Sequence, residues 1–436
     1  MSKPYKPYQP EQDLLLPPSL KDWLPERHLA YFVSEVVDEL ELSAIYAVYE
    51  KDLRGQPPYD PRMMVKLLVY GYCVGVYSAR KIQQRVNEDV AFRVLAAGNE
   101  PDFRTIADFR KIHLEVLEGL FDQVLRMAVE MGAMKLGRVV LDGSKVKANA
   151  SKHKAMSYER MVEQEKAIRE QVKEMLAQAE AVDAEEDERY GKSGVGDELP
   201  EELQRRETRL KRIREAKRAL EERAREKAKG EGKAVEEARP AAKDQYNFTD
   251  PESRIMKSSS EGFVQAYNAQ IVVEPELQLI VGQAVTQAAN DKEQVAPMME
   301  AVEEQCGQRP EAVIADSGYC SEKNLEALES EKKPEQRIEA FIATERQKHG
   351  ERQVCAHGPL PTGATRVDRM KRKLQTKTGA AIYAARKGIV EPVFGQIKQA
   401  RGFRRFSLRG LAKVKAEWAL VCAAHNLLKI YRACYG

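Results

Sequence analysis

The stretch VVLDGSKVKANAS, residues 139–151, begins as a buried β-strand and then turns polar at alternate positions. Three apolar residues lead into Asp142, and Lys145 and Lys147 follow it two residues apart. Because successive side chains of a strand point to opposite faces, this period of two predicts a strand. The apolar run of this strand ends on a carboxylate that has cationic side chains beside it. The fold class depends on which further strands form a sheet with this one.

Further strands follow after a long helical interruption. GFVQAYNAQIVVE (262–274) and LQLIVGQAVTQ (277–287) are predicted to pair as a hairpin-like unit. PEAVIADSGY (310–319) is predicted to be a short buried strand that ends on Asp316, with a helix on either side. This order of elements predicts a mixed α/β sheet.

The interruption has the pattern of a coiled coil. Apolar residues recur at spacings of three, four and seven through 155–245, and YGKSGVGDELP (190–200) supplies Gly and Pro for a reversal. We therefore predict an inserted antiparallel coiled-coil hairpin over 155–245. It divides a catalytic domain into two parts, 135–154 and 246–408.

The two ends of the chain are predicted to be helical or extended. Residues 1–18 are rich in Pro and Tyr and are predicted to form an extended arm, and 19–134 to form an all-α domain. Residues 409–436 are predicted to form a C-terminal amphipathic helix. The N-terminal helices fit either a helix-turn-helix-type DNA reader or a dimerisation bundle, and periodicity does not separate the two.

The charge is unevenly distributed. The chain has 71 Lys and Arg against 68 Asp and Glu, but residues 366–436 hold 17 of these bases and 3 of these acids. A segment this basic predicts a polyanionic partner, most commonly nucleic acid, although a basic face that only confers solubility is the alternative. No apolar run reaches the ~20 residues of a membrane span, and six unpatterned cysteines indicate the cytoplasm.

Three carboxylates are candidates for chemistry. Asp142 and Asp316 each follow an apolar strand, and parallel neighbouring strands would bring them to one edge of the sheet. Glu391 is one of the 3 acids in the basic C-terminal segment and completes a predicted metal site. Carboxylate oxygens suit Mg²⁺, and two such ions stabilise an in-line phosphoryl displacement. Alternatively, the aspartates belong to turns and Glu391 neutralises nearby bases.

The chain resembles a known family in four blocks that occur in order. They are VVLDGSKVKANAS (139–151), DPESRIMKSSSEGFVQAYNAQIVVE (250–274), VIADSGYCSEKNL (313–325) and KGIVEPVFGQIKQARGFRRFSLRGLAKVKAEWALVCAAHNLLKIY (387–431). These blocks are similar to those of bacterial insertion-sequence DDE transposases, which have an RNase H-like catalytic domain. The most similar branch is the insertion-sequence eleven-eighty-two group, allied to the insertion-sequence-five families.

The resemblance implies roles for single residues. Asp142, Asp316 and Glu391 match the catalytic, metal-binding triad, which implies two Mg²⁺ ions with Mn²⁺ as an expected substitute. Lys398 matches the Lys of a Tyr, Arg, Glu, Lys signature around the Glu. The chain departs from this signature because Lys387 occupies the Arg position, so that either Arg386 or Lys387 fills it. Of the cysteine-rich segment of many members only Cys355 and His357 remain, and we expect no zinc site.

Contacts with the DNA backbone are predicted for a set of Lys and Arg side chains. On the strand, Lys145 and Lys147 either contact phosphates or only balance Asp142. Arg254 and Lys257 are placed in the loop before the second strand. The complete set is Lys145, Lys147, Arg254, Lys257, Arg386, Lys387, Lys398, Arg401, Arg404 and Arg405.

The resemblance implies a transposase that cuts DNA at the ends of an insertion sequence and joins the 3′-OH to target DNA. Its expected partners are the terminal inverted repeats, target DNA and further copies of the chain, as a homodimer or larger synaptic complex. Its expected location is the bacterial cytoplasm, associated with the nucleoid, with no membrane contact. The alternatives are a metal-dependent nuclease without strand transfer and a non-enzymatic DNA-binding coiled-coil protein.

Overall fold

A computed structural model describes residues 19–50, 57–134, 136–190, 201–230, 232–258, 261–329, 337–345, 360 and 362–436. Its centre is a mixed sheet, which confirms the predicted α/β class. Six described strands form this sheet: β1 (Arg138–Lys147), β4 (Arg254–Ser258), β5 (Gly262–Val273), β6 (Ile280–Thr286), β7 (Ala312–Ala315) and β8 (Glu339–Ile342).

Strand β1 lies inside the sheet. It pairs antiparallel with β5 and parallel with β7, and β8 continues the sheet in parallel beyond β7. Strands β4 and β6 both pair antiparallel with β5. The apolar residues Val139, Val140 and Leu141 are fully buried. A strand with neighbours on both sides and apolar side chains on both faces is a rigid base for the residues that follow it.

The N-terminal region is helical. Its described helices are α1 (Leu29–Glu39), α2 (Ser43–Tyr49), α3 (Pro61–Cys73), α4 (Ala79–Glu88), α5 (Val90–Leu95), α6 (Phe103–Ile112) and α7 (Leu114–Glu130). Asp60, Asp89 and Asp102 begin α3, α5 and α6, where each side chain accepts backbone N–H groups of the first turn. Short helices separated by such caps pack as a compact layer.

The helix at the C-terminus differs from the amphipathic helix that the sequence predicts. Helix α14 (Leu411–Tyr435) packs against β6 on one side and against α3 and α7 on another. Its residues 416–427 are all buried, including Trp418 and the polar Glu417 and Asn426. Small residues in this segment let neighbouring elements approach on several sides, so the helix lies inside a core shared by the sheet and the N-terminal helices.

Two long helices follow β1. They are α8 (Tyr158–Tyr190) and α9 (Glu201–Gly230), and the short strands β2 (Ala155–Ser157) and β3 (Gln245–Asn247) pair antiparallel at their base. The two helices contact each other through a small core of their own, formed by Met161, Ile168, Leu210, Ile213, Ala216 and Leu220. This core is separate from the main one.

The remaining described helices are α10 (Val295–Cys306), α11 (Glu322–Leu328), α12 (Arg366–Leu374) and α13 (Lys377–Gly395). Strand β8 and helix α12 lie in a largely polar part of the chain for which the sequence predicted neither a strand nor a helix. The loop predicted around Arg254 and Lys257 is wrong, because both residues lie in β4. Both strands are short, so each carries too few alternations for a clear period. No described helix has the length and apolarity needed to cross a membrane.

Candidate active site

Two of the predicted carboxylates meet on neighbouring strands. The parallel register of β1 and β7 pairs Leu141 with Ala315, so Asp142 and Asp316 are the next residues on each strand. Adjacent strands lie about 4.8 Å apart, which places the two carboxylates side by side. Strand β1 continues to Lys147, whereas β7 ends at Ala315. The sheet is therefore open beyond Asp316, as at ligand sites of open α/β sheets.

Each aspartate is held by a backbone N–H group. Asp316 Oδ1 accepts a hydrogen bond of 2.8 Å from Gly318 N, and Asp142 Oδ1 accepts one of 2.8 Å from Gly143 N. A side chain at Gly143 has no space, since a Cβ there would lie 2.2 Å from Gln270 Nε2. The glycine after Asp142 therefore leaves room for the Gln270 side chain of β5 to lie directly against β1.

The cation paired with Asp142 comes from α13. Arg386 Nη1 lies 3.0 Å from Asp142 Oδ2, and the two side chains are 12% and 18% exposed. Burial raises the pKa of the Asp142 carboxyl, the Arg386 guanidinium opposes this shift and Asp316 adds to it, and the net result is a pKa of about 6. Asp142 is thus a buried carboxylate whose ionised form needs positive charge nearby. The neighbouring Lys387 is exposed.

A proline in α13 opens the helix where it passes the sheet. Pro392 has no N–H to donate to Gly388, four residues earlier, and the Gly388 carbonyl instead accepts a hydrogen bond of 3.0 Å from Gln278 Nε2. A π-helical turn, Gln396–Ala400, follows directly. Wider turns of this kind change which side chains face a neighbouring element.

The π-helical turn carries Lys398 to β1. Lys398 Nζ donates to Ser144 Oγ and, at 3.0 Å, to the Lys145 carbonyl. Burial lowers the pKa of Lys398 to about 8, and the nearby Asp142 carboxylate opposes that shift. The predicted signature Lys is thus brought to the strand that carries the first Asp. The Ser144 hydroxyl of that strand accepts one of the hydrogen bonds of Lys398.

A further carboxylate, which sequence reasoning missed, lies on the other side of β1. Asp291 Oδ1, in the segment between β6 and α10, accepts hydrogen bonds from Lys145 Nζ at 3.2 Å, Asn268 Nδ2 at 2.6 Å and Gln270 Nε2 at 2.8 Å. It also contributes to the raised pKa of Asp142, after burial and Asp316. Two polar side chains alternating inside the apolar run of β5 were the signal for this network.

Glu391 is not brought to the aspartates in this structure. It is exposed on α13, and among the described residues no hydrogen bond or ion pair joins it to Asp142 or Asp316. Five residues separate it from Arg386, a rotation of about 140° around an α-helix. In the described part of the chain no three Asp, Glu, His or Cys side chains form a group that could hold a metal ion.

The predicted DNA-binding cations have different environments. Lys145 pairs with Asp291 and Lys147 with Glu261, so both are only partly available. Lys257, Arg404 and Arg405 are exposed.

Two of the predicted DNA-binding cations, Arg254 and Arg401, bind groups of the protein itself. Arg254 Nη1 donates to the carbonyls of Pro251, Glu252 and Ser253 at 2.9–3.0 Å, and burial lowers its pKa to about 10. Arg401 lies beside His425 and Val421 of α14. Arg254 thus holds the segment before β4 and Arg401 contacts a helix, so neither side chain is placed to contact DNA.

Two regions of the chain match family sequence models. Residues 18–112 match a transposase domain (DUF772), and residues 223–427 match the Transposase DDE domain. The chain belongs to the insertion-sequence DDE transposases. The predicted transposase function is thereby confirmed, as are the polynucleotide chemistry and the DNA partner that belong to this family.

The DDE match of this transposase includes Asp316 and Glu391, whereas Asp142 lies before it. Helix α8 and most of α9 also precede the match. Divalent metal ions are general to the family. A search of curated proteins and a search of solved structures found no significant match.

Proposed function

We propose that this transposase cleaves the ends of an insertion sequence and joins the 3′-OH to target DNA at a site built on Asp142 and Asp316. The observation that supports the site is the adjacency of these carboxylates in the parallel register of β1 and β7, with Asp142 buried and Arg386 against it. Two adjacent carboxylates, one of them buried, form a candidate site for hard cations.

The donor set fits hard divalent cations. Asp142 and Asp316 supply carboxylate oxygens, the ligands that Mg²⁺ prefers, and Glu391 is proposed as the third ligand. Two bound Mg²⁺ ions, with Mn²⁺ as a substitute, would supply Lewis-acid stabilisation of the attacking and leaving oxygens. Because Glu391 is exposed and α13 is opened at Pro392, we propose that DNA binding turns this part of α13 toward the strands.

The cationic side chains of the site are proposed to position the DNA. Arg386 and Lys398 reach β1 from α13 and the turn after it, and each is close to Asp142. A guanidinium there can bind a phosphate oxygen of the strand being cut once a metal ion has replaced it as the partner of Asp142. Lys387, Lys257, Arg404 and Arg405 are exposed and are proposed to contact the phosphate backbone further from the cut.

The larger architecture is proposed as follows. The mixed sheet with β1 in its middle is an RNase H-like catalytic core, and α8 with α9 is an inserted antiparallel coiled-coil hairpin. Two element ends are cut in concert, so we propose a homodimer or larger synaptic complex, with the N-terminal helices and the hairpin as its contacts. The insertion-sequence eleven-eighty-two branch stays a prediction.

The experiment is a cleavage and joining assay with the native flanking ends and Mg²⁺. Asp142→Asn, Asp316→Asn and Glu391→Gln should each lower cleavage by at least about a hundredfold while changing DNA affinity by less than about threefold. Glu417→Gln is not a suitable control because Glu417 is buried, so Glu300→Gln, at an exposed carboxylate on α10, serves instead and should leave cleavage unchanged.

The same assay separates the rival functions. Joined products with a supplied target exclude a nuclease without strand transfer. Full activity in EDTA would overturn the metal mechanism, and full activity of Glu391→Gln alone would remove Glu391 from the site while leaving the aspartates in it. A chain that binds DNA but never cuts it would support the non-enzymatic alternative.

A further inference from the structure

A groove of about 650 Å³ lies where β1 leaves the sheet. Its floor is formed by three segments of the chain that are joined by backbone and side-chain hydrogen bonds. Ala148 N donates to the Gln265 carbonyl at 2.9 Å, Phe406 N donates to the Lys147 carbonyl at 2.9 Å, and Arg409 Nε donates to the Asn149 carbonyl at 3.0 Å. Such a floor is preformed and does not need a ligand to order it.

The groove is strongly cationic. Its lining includes five Lys and Arg side chains and one acidic residue, Glu261, which is already paired with Lys147. Lys152, Lys154 and Arg405 are exposed, and no ion pair is found for them within the described residues. Unpaired cations along a concave surface attract a polyanion.

An exposed aromatic side chain lies in the same groove. Phe263 is 66% exposed, the largest value among the exposed large apolar residues that the structure describes. It stands at the start of β5 directly opposite Lys257 of β4. Aromatic side chains among cations are typical of surfaces that contact bases as well as phosphates. A groove that binds an acidic surface of a protein partner would need the cations but not an exposed aromatic ring.

The groove is remote from the carboxylates but in line with them. In the β1–β5 register Asp142 pairs with Ile271, and Phe263 lies eight residues further along β5. At about 3.3 Å per residue this is about 26 Å. A duplex running along the strands rises 3.4 Å per base pair, so Phe263 would meet it about seven to eight base pairs from the reacting phosphate.

We propose that this groove binds the duplex inside the element end, with Phe263 inserted as an apolar wedge at a base step in the minor groove. The proposal rests on the transposase function proposed above and adds a second, non-catalytic DNA subsite to it. Lys152, Lys154 and Arg405 hold the phosphates on either side of the step. The wedge unstacks the step and kinks the duplex toward its major groove, while the cut end stays at the carboxylates.

The test uses the full-length Asp142→Asn protein, which binds without cutting, and a duplex of the terminal inverted repeat beside the gene. 2-Aminopurine replaces one base at a time, about four to ten base pairs inside the end. Fluorescence should rise at one or two adjacent positions, because 2-aminopurine brightens when it is unstacked. Phe263→Ala should abolish the rise and weaken binding about tenfold, whereas Phe263→Leu, which retains a wedge, should keep much of both.

The phosphate contacts are tested separately. Lys152→Ala combined with Lys154→Ala should reduce the slope of log affinity against log salt by about two, and the matched Lys→Arg pair should leave it unchanged. Equal fluorescence in Phe263→Ala, or an unchanged slope in the double alanine variant, overturns the subsite even if native protein cuts and joins. If the fluorescence and salt experiments give the expected results but the native protein does not cut DNA, the subsite is supported and the proposed function is not.

Discussion

At the scale of single residues, the site depends on how burial changes the ionisation of Asp142. Burial raises its pKa to about 6 from an unperturbed 3.8, because the ionised form loses hydration that Arg386 only partly replaces. The folded state therefore binds the Asp142 proton more tightly than the unfolded state does. Ionisation destabilises the fold, and this cost is absent below the unfolded pKa and complete above the folded one.

Asp142→Asn should therefore stabilise the protein in metal-free buffer at pH 8. The upper limit is about 3 kcal/mol, since a tenfold difference in proton affinity between the folded and unfolded states corresponds to about 1.4 kcal/mol. The measurement is the thermal unfolding temperature of both proteins in EDTA between pH 4 and pH 8. The difference should shrink as the pH falls through 6 and disappear near 4. Equal or lower stability of Asp142→Asn at pH 8 would contradict this interpretation, and Asp316→Asn measured alongside tests whether the effect is particular to Asp142.

Sequence patterns predicted part of this site. The apolar runs before Asp142 and Asp316 predicted that both lie at one edge of the sheet, and their register agrees. They did not separate Arg386 from Lys387, because one helical residue is a rotation of about 100° and only the docking of α13 decides which side chain faces β1. Asp291 was missed because it lies in a connecting segment, where no period marks it.

At the scale of elements, α13 has the least regular helical geometry among those that build the site. Pro392 removes one helical hydrogen bond, Gln278 takes over the released carbonyl of Gly388, and the π-helical turn that follows brings Lys398 to β1. An irregularity of this kind lowers the stability of a helix. It persists where contacts with the surrounding structure hold it in place, which is common at functional sites.

Pro392→Ala should therefore stabilise α13 and impair catalysis. The new N–H can donate to the Gly388 carbonyl, which restores the regular helix and turns Lys398 away from β1. We expect an unfolding temperature that is unchanged or higher, cleavage at least about tenfold slower and DNA affinity within about threefold. Gln278→Asn is the matched control, because it removes the amide from Gly388 and suits the left-handed backbone of this position. Normal cleavage by Pro392→Ala would show that the opened helix is unimportant.

The elements that sequence patterns predicted best are those whose residues form an apolar run or a clear period. The strands β5, β6 and β7 lie within their predicted segments, β1 begins one residue before its own, and α10 and α11 are the helices predicted on either side of β7. Strand β8 has four residues like β7, but it was missed because it begins with the exposed Glu339, whereas all four residues of β7 are apolar and buried. Helix α14 was predicted but its burial was not, because that burial depends on tertiary packing against α3 and α7, which are distant in the sequence.

At the scale of the whole molecule, two separate apolar cores imply two separate units of stability. The main core joins the N-terminal helices, α14 and the sheet, whereas α8 and α9 enclose the small one. The chain enters and leaves the second unit at one place, where Tyr158 N donates to the Asp244 carbonyl at 2.8 Å. Segments attached in this way are often removable without loss of the parent fold.

Replacing residues 159–243 by Asn-Gly should therefore leave the main fold intact. The pair β2 and β3 then becomes a hairpin with a turn that matches its twist. We expect the main thermal transition to remain within a few degrees of that of the full-length protein. By contrast, a chain that begins at residue 136 lacks α3 and α7, exposes the buried face of α14 and should show no cooperative unfolding. Calorimetry and near-ultraviolet circular dichroism of both proteins provide the measurement.

Point variants in the full-length chain provide a control that removes nothing. Ile213 in the small core and Leu420 in α14 are each 1% exposed, so a charge at either position meets the same degree of burial. Ile213→Asp should reduce helical circular dichroism while the main transition persists, because only α8 and α9 lose their contact. Leu420→Asp should abolish that transition, because an unpaired carboxylate in the shared core destabilises the sheet and the N-terminal helices together. Loss of the main transition in Ile213→Asp would show that the two cores unfold as one.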